Sequence, residues 1–416
     1  MSSKSPPAIP GAQPQAVGRD AIIFLAGLAA EWGDRRLDET AHRIAVAFDR
    51  NAATAEAHFS VKLEVEEEEY SPRSKTRRCT ILRTDASGTE PVLDLYAFSY
   101  QATLAEGIER RNPLVKALLV LAAVVMHLPR VIHALFPGPK SGKTRKDTVQ
   151  ILQALALMLL LSVYMGFLVW ALIQTVMALP DLGGRNPTVT VPQMIVVVSG
   201  VIGTAIPGIR EWITRSAVSY LSLIYYLLLG ERRQVVVGRL TSLIEHLAEK
   251  GPLHPRIHLL GYSFGTIVAL DALFPRGREP VPRFALVDTL VTVGTPFDAI
   301  RSWWPKYFHD REAMQACPRR WLNVYAPADV LGSNFRNDPR LAEANESVHL
   351  PDGSLGPLPT NVVYGVGPAL DEVGLIGLIT LLGLRAHALY WEDEPEAESV
   401  YDVLIPLLYE GSAALT

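Results

Sequence analysis

From residue 21 onward the chain alternates short apolar runs with amphipathic stretches, and this alternation is interrupted by one long region almost without charge. Residues 22–25 read as a buried strand, 38–49 as a helix, 58–66 with 78–83 as an antiparallel pair, and 92–100 as a further strand. Downstream, 216–229, 237–249 and 266–274 read as helices, and 257–260, 286–293, 321–325 and 362–366 as strands. Apolar strands separated by helices predict an α/β domain with a mostly parallel sheet covered by helices, because only a sheet buried on both faces favours apolar residues at successive strand positions. Residues 1–20, rich in Ser, Pro, Ala and Gln and lacking an apolar signal core, read as a disordered leader.

The interruption has a different character. Residues 148–180 contain no charged side chain and 188–209 contain none either, with the turn-rich 181–187 between them. A membrane helix needs roughly 20 apolar residues, so the pattern predicts a transmembrane hairpin. Lys140, Lys143, Arg145 and Lys146 precede the first run and Arg210, Arg215, Arg232 and Arg233 follow the second, which predicts both flanks on the cytoplasmic side. The apolar segment 114–136, interrupted by Lys116, His127, Pro129, Arg130 and His133, reads as an interfacial or cap helix rather than a span. The resulting division is 1–20 as leader, 21–112 as the first part of the sheet domain, 113–215 as an apolar helical insert, and 216–416 as the second part.

At 416 residues and a net charge of −4, the chain can bury a large core and has no overall basic balance to favour nucleic acid. Cys79 and Cys317 lack metal-ligand spacing and read as isolated thiols. The acidic runs 64–69 and 392–398 read as a solvated strand edge and an exposed turn, so no metal site is expected.

One pentapeptide carries chemistry. Gly261-Tyr262-Ser263-Phe264-Gly265 lies between an apolar strand and a helix, the context in which G-x-S-x-G presents a serine on a sharp turn. Ser263 is the candidate nucleophile, and its place at a helix N-terminus favours negative charge developing on a substrate. A serine hydroxyl needs a base oriented by a carboxylate, and on sheets of this kind the partners follow in the order Ser, acid, His. Asp329, directly after the apolar strand 321–325, is the favoured acid, with Asp298 the alternative; His387 in the last loop is the favoured base, ahead of His349, His254, His258 and His309. The backbone N–H of Phe264, with that of Leu28 or Gly27 at the exit of the first strand, are the candidate oxyanion donors.

On these residues the chain resembles the α/β-hydrolase superfamily, and more narrowly its bacterial membrane-associated serine esterases and lipases. The resemblance covers 21–100 and 216–408 and rests on 259–265, on Val293-Gly294-Thr295-Pro296, on Asp329, and on His387 followed by Tyr390-Trp391. Two positions depart from it: Ala26 stands where such enzymes often carry histidine before glycine, and Tyr262 where they commonly carry histidine. The resemblance implies an α/β-hydrolase fold with the apolar insert as membrane or lid region, and a membrane-anchored serine hydrolase of carboxylic esters. Its expected substrates are lipid or other acyl esters met at the bilayer of a bacterial inner membrane, with the catalytic domain facing the cytoplasm and no metal or organic cofactor. An acyltransferase using the same triad, and a non-catalytic hydrolase-like membrane binding protein, are the alternatives.

Overall fold

A computed structural model of the chain describes residues 19–28, 34–52, 58–63, 67–112 (apart from 73, 107 and 109), single positions and pairs or triplets between 115 and 129 together with 152 and 166, 218–250 (apart from 229), 253–337, 343–365, 382–391 and 398–409. The predicted leader up to residue 18, the predicted hairpin 148–209 apart from positions 152 and 166, and the acidic run 392–398 apart from Glu398 fall outside them, and the leader ends sooner than expected because Asp20 already starts a strand. Among the described residues no helix is long and apolar enough to cross a membrane.

Ten strands are described: β1 Asp20–Leu25, β2 His58–Leu63, β3 Glu68–Ser71, β4 Ser74–Thr76, β5 Arg78–Asp85, β6 Gly88–Ala97, β7 Ile257–Tyr262, β8 Val287–Val293, β9 Arg320–Tyr325 and β10 Thr360–Val363. The helices used below are α1 Asp34–Asn51, α2 Gln101–Ala105, α3 Glu231–Glu249, α4 Phe264–Leu273, α5 Phe297–Trp303, α6 Leu382–Ala386 and α7 Val400–Leu408. Eight strands form one sheet in the order β10-β9-β8-β7-β1-β6-β5-β2, and β3 pairs with β4 in a separate ribbon. The six strands from β10 to β6 run parallel, and β5 pairs antiparallel with both β6 and β2. The molecule is therefore α/β with a mostly parallel sheet, as the apolar strand pattern predicts.

β1 shows why. Ala21, Ile23 and Leu25 enter the core on one face with Leu243 and Ile267, while Ile22, Phe24 and Ala26 enter the core on the other with Ile44 and Leu404. A strand sealed on both sides favours apolar residues at successive positions, so after Asp20, whose buried carboxylate pairs with Arg256, the sequence of β1 is continuously apolar. The chain leaves β1 through α1 on one face and reaches β6 on one side of β1; it later returns through α3 on the other face to β7 on the opposite side. The C-terminal end of β1 is thus a point where the winding reverses, and in open α/β sheets such a point opens a crevice between the two following loops.

Several boundaries differ from the sequence pattern. β6 starts at Gly88 and stops at Ala97, not 92–100: its first residues pair back onto β5 down to Asp85 opposite Gly88, while Phe98 makes one last bond, its N–H to Phe24 O at 2.9 Å, before Ser99 and Tyr100 leave the ladder. Part of the acidic run is not a solvated edge, because Glu68 in β3 bonds His246 at 2.6 Å and Lys250 at 2.5 Å. Neither Cys79 nor Cys317 forms a disulfide, and both are buried. In the segment 114–136, described helical positions include buried Val120 and Ala123 beside exposed Leu118, Val125 and Met126. The two ends of the chain around 113–215 are tied together, since Arg232 donates to the carbonyl oxygens of Thr103 and Glu106 at 3.1 Å and Arg239 donates to the Thr103 hydroxyl.

α4 packs on β1 closely enough that a Cβ at Gly265 would overlap the carbonyl oxygens of Leu25 and Ala26. Backbone on both sides leaves nothing flexible to give way. Gly265→Ala is expected to lower the free energy of unfolding by about 2–3 kcal/mol, read as a fall in the urea midpoint at unchanged slope.

Candidate active site

The turn between β7 and α4 carries Ser263 at φ 53° and ψ −124°, an uncommon conformation for a residue with a Cβ. Such backbone costs of order 1–3 kcal/mol and persists only when its surroundings dictate it. Here Ser263 N–H donates to Val293 O at 2.9 Å, and the Ser263 carbonyl accepts from Thr266 N–H at 3.1 Å and Thr266 Oγ1 at 2.5 Å. The turn is therefore fastened to the end of β8 and to the first turn of α4. Ser263 stays partly exposed between the buried Tyr262 and Phe264. As the first residue of α4, Phe264 has an N–H with no intrahelical acceptor.

The other predicted residues meet nearby. His387 follows α6, and its Nδ1 lies 2.8 Å from Asp329 Oδ2. Asp329 is fully buried on the loop after β9, and the His387 side chain is 12% exposed. The same Oδ2 accepts from the Tyr390 hydroxyl at 2.8 Å, and Oδ1 accepts from Leu331 N–H at 2.8 Å. Burial pushes the Asp329 carboxyl up, yet the His387 imidazole and these hydrogen bonds outweigh it and hold the group below its usual range. With Nδ1 committed to Asp329, Nε2 is the ring atom left for proton transfer; it is buried and has no hydrogen-bond partner among the described residues.

Gly294 makes room for this pair. It sits at φ 58°, and a Cβ there would lie 2.9 Å from the Tyr390 ring, 3.0 Å from His387 Cε1 and 3.2 Å from Asp329 Oδ2. A side chain at this position would be strained by its backbone and would press on all three groups at once.

The remaining candidates are engaged elsewhere. Asp298, in α5, is bonded to Arg301 at 3.0 Å and to Ser333 Oγ at 2.6 Å. His349 stacks on His309 at 4.4 Å, His254 bonds Tyr96 and the Arg19 carbonyl, and His258 lies near Asp20 at the start of β1. At the exit of β1, Gly27 lies against Ser263: a Cβ there would be 3.3 Å from Ser263 Cβ.

Two aromatic residues join the site without any sequence signal for such a role. Tyr262 stacks on the His387 ring, centroids 5.2 Å apart and planes at 22°, and its hydroxyl donates to the His387 carbonyl at 2.6 Å. It thus grips the candidate base through both its ring and its backbone. Tyr390 accepts from Ala326 N–H at 2.8 Å while donating to Asp329, so its hydroxyl bridges the loop backbone and the acid.

Tyr390→Phe leaves a buried N–H and one carboxylate lone pair unpaired, so a loss of about 1–3 kcal/mol is expected in urea unfolding. Because the folded Asp329 carboxyl titrates below its ordinary value of 3.8, its contribution to stability is present in full above that value and is lost as pH falls from there through the lower folded value. The stability gap between wild type and Asp329→Asn should accordingly narrow as pH falls below about 4. Unfolding titrations of both proteins across that range check the sign, and a gap that widens in acid would contradict it.

Comparison of the chain with models of protein families, with curated proteins and with solved structures finds no match; the chemistry of the site is read from its own side chains.

Proposed function

We propose that the chain is a serine hydrolase of the α/β-hydrolase kind that cleaves carboxylic esters through Ser263, His387 and Asp329. The observation that carries the reading is the 2.8 Å contact from His387 Nδ1 to buried Asp329 on the loops beside the strained Ser263 turn. Asp329 accepts the Nδ1 proton and fixes the tautomer in which Nε2 is a base. Nε2 takes the Ser263 proton as Oγ attacks the ester carbonyl, and the carbonyl electron pair moves onto oxygen. The N–H of Phe264 and that of Leu28 or Gly27 stabilise the oxyanion. Collapse expels the alkoxide, which takes the proton from Nε2, and leaves an acyl-Ser263 ester. Water then attacks this ester, His387 again taking and returning one proton, and the acid product leaves.

Lipid esters are the proposed substrates. The uncharged runs 148–180 and 188–209 favour an anchor at a bilayer, where acyl chains are concentrated next to the sheet domain. Anchoring with the flanks on the cytoplasmic side follows the basic residues around these runs.

The test is hydrolysis of short- and long-chain p-nitrophenyl esters in detergent micelles by the purified full chain and by Ser263→Ala. The expected outcome is a loss of at least about 10³-fold in the variant, with wild type favouring the longer chains and labelled by a fluorophosphonate at Ser263. Equal turnover by both proteins, or a wild type that neither turns over ester nor takes the label, would overturn the hydrolase reading.

A further inference from the structure

Gln101 is buried at the start of α2, next in the chain to Tyr100, which belongs with Leu104 and Phe264 to the core on one face of the sheet. A primary amide costs free energy in such a place unless both its ends are bonded. Both are: Nε2 donates to the Gly27 carbonyl at 2.8 Å, and Oε1 accepts from Tyr100 N–H at 3.1 Å. The Tyr100 hydroxyl donates to the preceding carbonyl, that of Ala26, at 2.7 Å. Two successive peptides of the loop after β1 are thus held through their oxygens by two successive residues after β6.

A trans peptide carries its N–H opposite its carbonyl, so fixing the oxygen fixes the hydrogen. Gln101 sets the direction of the Leu28 N–H through Gly27 O, and Tyr100 sets that of the Gly27 N–H through Ala26 O. These are the candidate donors beside Phe264, and Gly27 lies against Ser263. We infer that Gln101 is a positioning residue for the oxyanion hole, acting through the Gly27 peptide and supported by Tyr100; this rests on the hydrolase reading above. It accounts for Ala26 in place of histidine before Gly27: the loop is held from the β6 side by an amide and a phenol.

Preorganised donors act on charge that develops in the transition state, and misplacing them leaves substrate binding largely alone. The decisive experiment measures short-chain ester kinetics and inhibition by a trifluoromethyl ketone, whose serine adduct carries an oxyanion, for the full-length wild type, Gln101→Met and Tyr100→Phe in detergent. Gln101→Met keeps the length of the side chain and removes the donor. It is expected to lower kcat by about 10–100-fold with KM within about twofold, and to weaken the trifluoromethyl ketone by the same factor. Tyr100→Phe should show the same pattern at smaller size, and it carries the test if Gln101→Met does not fold. Rates are taken per molecule titrated by fluorophosphonate, so a variant that only unfolds more readily shows unchanged kcat. Unchanged kcat and inhibition in a folded Gln101→Met, with wild type labelled at Ser263, overturn the role of Gln101 alone; a wild type that takes no label overturns the hydrolase reading with it.

Discussion

Everything around Ser263 depends on how closely α4 approaches the end of β1. Because Gly265 has no side chain, the first turn of the helix rests on the carbonyl oxygens of Leu25 and Ala26. That contact puts the strained turn after β7 next to the loop after β1, at the place where the winding of the sheet reverses. Were α4 displaced outward by a methyl group, Phe264 and Gly27 would separate and the two faces of the crevice would no longer meet on one atom.

The second requirement is electrostatic. A carboxylate sealed from water is unfavourable unless its oxygens are occupied, and Asp329 is sealed completely. Three donors occupy it: His387 and Tyr390 from one short segment, and the amide of Leu331 two residues along its own loop. Tyr262 meanwhile stacks on the imidazole and holds the backbone that carries it. The candidate acid and base are therefore set by an aromatic bracket whose members contribute no charge of their own.

Much of this was legible in the chain. Two-sided burial makes the central strands predominantly apolar, so β1, β7, β8 and β9 stand out despite buried polar residues such as His258, Thr292 and Asn323, and the candidates Ser263, Asp329 and His387 follow from the G-x-S-x-G turn and from the order of loops. The edge was harder to read: the polar start of β6 is held in place by pairing with β5, a tertiary effect that overrides its composition. The supporting residues were not legible at all. Gln101 and Gly27 stand 74 positions apart, Tyr262 and His387 125, and a tyrosine or glutamine has no period or spacing that announces a distant carbonyl. Glu68 escaped for the same reason, its partners on α3 being visible only once the ribbon of β3 and β4 is folded over that helix.

The arginines of α3 that clasp α2 have a consequence for the architecture as a whole. Arg232 and Arg239 join the chain where it leaves the sheet domain to the chain where it re-enters, at Thr103 and Glu106. Once two points are fastened, the entropy of closing whatever lies between them grows only logarithmically, by about 0.6 kcal/mol for each doubling of length. The sheet domain is thus nearly indifferent to the size of the segment it carries at 113–215. The clasp makes that segment a cassette: its length can change while the two chain ends that frame it stay fastened to each other.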